Sequence, residues 1–75
     1  MKETYKKEVK KWFKDNFINP YKIIIKTNNI WVYPYKKSMG ILMEKETFNK
    51  KDDKNYIEYI NIFLEEIRYS ISISK

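Results

Sequence analysis

The chain has 75 residues, 43% hydrophobic and 17% aromatic, with 16 basic side chains against 10 acidic ones, so one modest core carries a net charge of +6. It contains neither Cys nor His, which excludes a disulfide framework, a thiolate nucleophile, Cys- or His-ligated metal and imidazole acid–base chemistry. No apolar run approaches the ~18 to 20 residues of a membrane span, and the start MKETYKKEVKKW lacks a secretory apolar segment, so a cytoplasmic protein without membrane contact is expected.

In chain order, residues 3–17 read as a helix, because Tyr5, Val9, Trp12, Phe13 and Phe17 recur at spacings of three and four. Lysines fill its other faces, Lys7, Lys11 and Lys14 as one row and Lys6, Lys10 and Lys14 as another. Asn19-Pro20 is expected to stop this helix, since the residue before proline avoids the α region. Tyr21 to Thr27 is β-branched and alternating, Asn28-Asn29 suits a two-residue turn because Asn tolerates positive φ, and Ile30 to Tyr35 returns as a second strand. Pro34 marks that strand's end or an edge position. After a loop holding the only Gly, residues 41–48 read as a third strand. Asp52 or Asp53 then caps a second long helix with the stripe Tyr56, Ile57, Ile60, Phe63, Leu64, Ile67 and Ile71. The tail 70–75 admits three readings: more helix, a frayed end or a short extra strand.

The predicted fold is therefore α+β, a single domain over 1–75 in the order α-β-β-β-α, with two helices packed on one face of a three-stranded antiparallel meander. The expected core is Val9, Phe13, Ile23, Ile25, Val32, Ile60 and Leu64. An Asn28-Asn29 turn pairs Lys26 with Trp31, Ile24 with Tyr33 and Lys22 with Tyr35. It puts Ile23, Ile25, Ile30 and Val32 on one face, and Lys22, Ile24, Lys26, Trp31, Tyr33 and Tyr35 on the other. In the third strand Ile41 and Met43 should face the helices, leaving Glu44 and Glu46 on the aromatic face, because burying two carboxylates is unfavourable.

Charge is uneven along the chain. Residues 1–37 hold ten lysines against three acids, and residues 38–75 hold six basic against seven acidic groups. Such asymmetry attracts acidic partners to one end. The α-β-β-β-α order, with Lys50, Lys51 and Lys54 near the last helix start, resembles the double-stranded-RNA-binding domain in topology. The short Asn28-Asn29 turn and the absence of His and Ala depart from that family's pattern, and topology alone carries no function.

Three readings of the aromatic face compete: a stacking surface for single-stranded nucleic acid, a protein interface or homodimer seam, and ordinary cross-strand packing. The carboxylates Glu44, Glu46, Asp52 and Asp53 match no metal-nuclease spacing, and Ser70, Ser72 and Ser74 have no partner base, so no enzyme, cofactor or metal is expected. The function expected is a non-enzymatic binding domain whose partner is nucleic acid or an acidic protein surface. Its candidate contacts are Lys6, Lys7, Lys10, Lys11, Lys14, Lys22, Lys26, Trp31, Tyr33 and Tyr35. Ile, Lys, Asn and Tyr supply 41 of the 75 residues, the usage of an AT-rich genome. That usage keeps two alternatives open: a small viral or mobile-element protein that inhibits a host protein or a nucleic-acid-processing or defence complex in the host cytoplasm, and a structural homodimer.

Overall fold

The computed structural model describes residues 2–74, apart from the side chains of Lys2 and Glu3, so Lys75 of the predicted tail lies outside the described residues. The elements are α1 (Lys2–Asp15), β1 (Lys22–Ile25), β2 (Asn29–Tyr33), β3 (Ile41–Glu44), α2 (Lys45–Asn49) and α3 (Lys54–Ile73). The strands form one open antiparallel sheet in the order β1-β2-β3. The predicted α+β meander is thus the observed one, with one short helix added before the last.

α1 buries Val9 and Phe13 fully and packs Tyr5 and Trp12 against the core, as the stripe requires. Phe17 departs from that stripe. The helix ends two residues earlier than expected, and the chain wraps back before Pro20 is reached. The Phe17 N–H donates to the Lys14 carbonyl at 3.0 Å and the Ile18 N–H to the Phe13 carbonyl at 2.9 Å. These bonds satisfy the last helical carbonyls and seat Ile18 in the core beside Phe13. They also require a left-handed residue at position 17, and Phe17 adopts φ 60° with its side chain 96% exposed.

The hairpin register differs from the expected one by two residues. Lys22 pairs with Tyr33, Ile23 with Val32, Ile24 with Trp31 and Ile25 with Ile30. The bend falls on Thr27 and Asn28, and the Lys26 N–H donates to the Asn29 carbonyl at 2.8 Å. Phe17 is the one non-glycine residue with positive φ among the described residues, so the turn does not use the left-handed tolerance of Asn. A shift of two preserves the faces, because side chains alternate with period two. Ile23, Ile25, Ile30 and Val32 therefore face the helices as predicted, joined by Ile41 and Met43 of β3.

β3 stops at Glu44, four residues short of its expected end. A continued strand would put Phe48 on the outer face beside two carboxylates. Instead the chain turns into α2, whose first N–H, that of Lys45, donates to the Asn28 carbonyl in the hairpin turn at 3.1 Å. The helical turn swings Thr47 and Phe48 into the core and moves Glu46 off the sheet. Phe48 meets Tyr5 and Trp12 edge-on at 5.7 and 5.3 Å between ring centroids.

α3 starts at its predicted cap, with the Asp53 carboxylate accepting the Asn55 N–H at 2.8 Å. Ile60, Phe63, Leu64 and Ile67 are buried, and Tyr56 and Ile71 pack at the margin. Ile57, predicted in the stripe, is exposed. Of the three readings of the tail, helix is the one observed, since α3 runs on to Ile73. The expected core residues Val9, Phe13, Val32, Ile60 and Leu64 are buried, whereas Ile23 and Ile25 are half-buried because β1 is an edge strand.

Packing of this kind ranks the core substitutions. Phe48→Ala should destabilise the protein by about 3 to 5 kcal/mol, and Ile25→Ala by about 2 kcal/mol or less. Urea unfolding followed by circular dichroism measures both, and equal losses would contradict the placement of Phe48.

Candidate functional site

With Val9 and Phe13 turned to the core, helical spacing gathers Lys6, Lys10 and Lys14 on one flank of α1. These lysines and Lys22 line a hollow of about 810 Å³ between α1 and β1, with Phe13, Ile18 and Ile23 among its apolar lining and Phe17 and Tyr21 at the connecting loop. A second hollow of about 680 Å³ continues along β1 past Lys26 and Lys45. The two share Lys6, Lys22 and Ile23 and so make one groove along the open edge of the sheet.

Four acidic groups are engaged outside the groove. Lys11 pairs with Asp15 at 3.2 Å, Lys51 with Glu8 at 3.3 Å, Lys50 with Glu46 at 2.8 Å and Arg68 with Glu65 at 2.7 Å. Among the described residues, no acid pairs with Lys6, Lys10, Lys14, Lys22, Lys26 or Lys45. The five α1 lysines singled out in the sequence thus divide: Lys6, Lys10 and Lys14 line the groove, Lys11 is engaged by Asp15, and Lys7 is exposed outside it. Lys45 reaches the groove from α2, with its ammonium 4.5 Å from the centre of the Tyr5 ring. The Tyr5 hydroxyl donates to Asn49 at 3.2 Å, and burial, then Glu8, push its pKa above the ordinary phenol value.

The lysines that gave the topological resemblance are mostly committed. Lys50 bonds Glu46 and, at 3.2 Å, the Tyr56 hydroxyl, and Glu46 first and Tyr56 second hold its pKa above the usual lysine value. The same Lys50 hydrogen bond lowers the pKa of Glu46. Lys51 lies 4.6 Å from the Phe48 ring centre as well as pairing with Glu8.

On the outer face of the sheet, Ile24, Trp31 and Leu42 form one row across the strands, and Lys22 and Tyr33 a second. Trp31 and Tyr33 are half-buried because their rings lie across Gly40. A Cβ built there would come within 2.8 Å of the Trp31 ring and 3.0 Å of the Tyr33 ring. Tyr35 does not join them. It lies beyond β2 in the loop, where its N–H donates to the Ser38 hydroxyl at 3.2 Å and its carbonyl accepts that hydroxyl at 2.7 Å. The expected Lys22–Tyr35 pair is therefore absent, because the two-residue register shift gives Lys22 to Tyr33. Glu44 stays on this face as expected, but Glu46 leaves it with α2, so the face is less acidic than the sequence implied.

Sequence reasoning missed the groove, Lys45 and the two aromatic residues at its loop, Phe17 and Tyr21. Phe17 was concealed by its four-residue spacing from Phe13. The only signal against it was Asn16-Phe17-Ile18-Asn19-Pro20, a run poor in helix formers that leaves room for a wrap before the proline. No family model matches the chain, and neither does any curated protein or solved structure.

The Gly40 contact makes a local prediction. Gly40→Ala should force the Trp31 and Tyr33 rings to tilt, changing the near-ultraviolet circular dichroism and destabilising the protein by about 1 kcal/mol, the low end of overpacking for half-exposed rings. An unchanged aromatic signal would show that the rings do not rest on Gly40.

Proposed function

We propose that this chain is a non-enzymatic binding domain whose ligand is nucleic acid, held by its phosphate backbone in the groove between α1 and β1. One observation carries the reading: Lys6, Lys10, Lys14, Lys22, Lys26 and Lys45 line one continuous groove without an acidic partner among the described residues. Leaving six ammonium groups together is unfavourable for the isolated protein and favourable once a polyanion displaces counterions from its own backbone. Lys22 belongs both to the groove and to the sheet face that carries Trp31 and Tyr33, so a strand leaving the groove would meet aromatic rings next. The reading assigns no chemistry to the carboxylates, and Asp53 is occupied as a helix cap.

A second reading, an acidic segment of a partner protein such as a host factor, is favoured by the open edge of β1. Antiparallel alternation turns the backbone N–H and C=O of Ile23 and Ile25 away from β2, toward the groove. An extended peptide could add to them as a further strand.

Matched substitutions test the first reading. Lys6→Gln with Lys10→Gln, and Lys7→Gln with Lys11→Gln, remove the same charge, but only the first pair lines the groove. The groove pair should lower the slope of log affinity against log salt by roughly 1.4 to 1.8, and the outer pair by much less. Equal effects would reduce the binding to net charge. Wild-type binding to DNA and RNA no tighter than about 10⁻⁴ M near physiological salt would remove the nucleic-acid reading and leave the strand-addition one.

A further inference from the structure

Phe17 is doubly unfavourable where it stands. A left-handed backbone brings Cβ against the carbonyl, which is why glycine usually occupies this position after a helix, and a bulky residue there is an outlier. The conformation also holds the ring almost entirely in water, at 96% exposure, although the neighbouring Ile18 is buried. Glycine would serve the wrap of α1 better in both respects. The wrap itself is over-determined by the two backbone bonds and the burial of Ile18, so the strain persists because the surroundings hold it.

The ring stands at a particular place. Phe17 borders the hollow lined by Lys10, Lys14 and Lys22, and Tyr21, itself 57% exposed, borders the same hollow. Two exposed aromatic rings beside three ammonium groups that pair with no acid among the described residues combine a flat apolar face with anchors for negative charge. A nucleotide presents the complementary pair, a flat base and a phosphate. A duplex hides its base faces, whereas a single strand offers them.

We propose that Phe17 is a stacking residue. With Tyr21 it holds an unpaired nucleobase at the mouth of the α1–β1 groove, while Lys10, Lys14 and Lys22 hold the flanking phosphates. The proposal rests on the nucleic-acid reading and narrows it to single strands. The left-handed backbone at position 17 keeps the ring out of the core and in reach of a base.

Phe17→Gly separates this role from a structural one, because it removes the ring and suits the backbone. The measurements are the thermal midpoint and the affinity for a short oligothymidylate and for an abasic strand of equal length. The proposal expects the midpoint to rise, by about 4 °C or more in a domain of this size. Affinity for oligothymidylate should fall about 5- to 150-fold, the range of one stacked base, while affinity for the abasic strand stays unchanged. A lower midpoint would make Phe17 a structural residue and overturn the proposal. Unchanged oligothymidylate affinity, with the wild type binding both strands, would overturn the stacking role and leave the groove reading intact. A wild type that binds neither strand would overturn both.

Discussion

Phe48 lies edge-on to Tyr5 and Trp12 of α1, in a helix only five residues long that the hairpin turn holds through the Asn28 carbonyl. Aromatic contacts run on from it, Trp12 to Phe13 at 5.0 Å and Phe13 to Phe63 of α3 at 6.3 Å, so rings from three helices meet over one small sheet. Large rings bury much area per residue, and a core of this size needs that economy. The contact also sets the rotation of α1. Turning the helix by one residue, about 100°, would take Val9 and Phe13 out of the core and bring Lys6 and Lys10 toward it. The burial of Phe48 and the exposure of the lysine row along β1 are therefore one constraint seen from two sides.

The sequence made the periodic parts of this fold legible and concealed the parts decided by competition. α1, the two faces of the hairpin and α3 follow from spacings of two and of three to four, and those survived even where the turn was misplaced, because a two-residue slip leaves parity intact. α2 was not legible. Lys45 to Phe48 alternates well enough for a strand, and only the need to bury Phe48 apart from Glu44 and Glu46 favours a helical turn. Phe17 was not legible for the opposite reason, since its spacing was right for a core residue while the helix ended before reaching it. Of the candidate site, the basic character of α1 and the outer positions of Lys22, Trp31 and Tyr33 were readable. Which lysines share a groove depended on how α1 lies beside β1, which no local pattern encodes.

The ion pairs are largely solvent-exposed, Lys51 being the most covered of their members, and such pairs add little to stability. Their value lies in where they put charge. Glu8 is drawn to Lys51, Asp15 to Lys11 and Glu46 to Lys50, which engages three basic groups away from the groove, while among the described residues no acid pairs with the lysines beside β1. Charge spread evenly would give a weak field everywhere; six lysines along one channel with a partly apolar lining focus theirs.

That concentration bears on a hazard created by β1. An edge strand whose outward backbone groups belong to Ile23 and Ile25 is a template for a second copy of itself, and the strand is nearly all isoleucine. The lysines that flank it repel such a copy, so the protein's colloidal stability is electrostatic at the place where self-pairing is most favourable. Screening shortens the reach of that repulsion from about 10 Å at 0.1 M salt to about 3 Å at 1 M. A concentrated kosmotropic salt, which strengthens a fold by favouring burial, therefore also removes the guard from this edge, and in such a salt the molecule's solubility and its folding stability move in opposite directions.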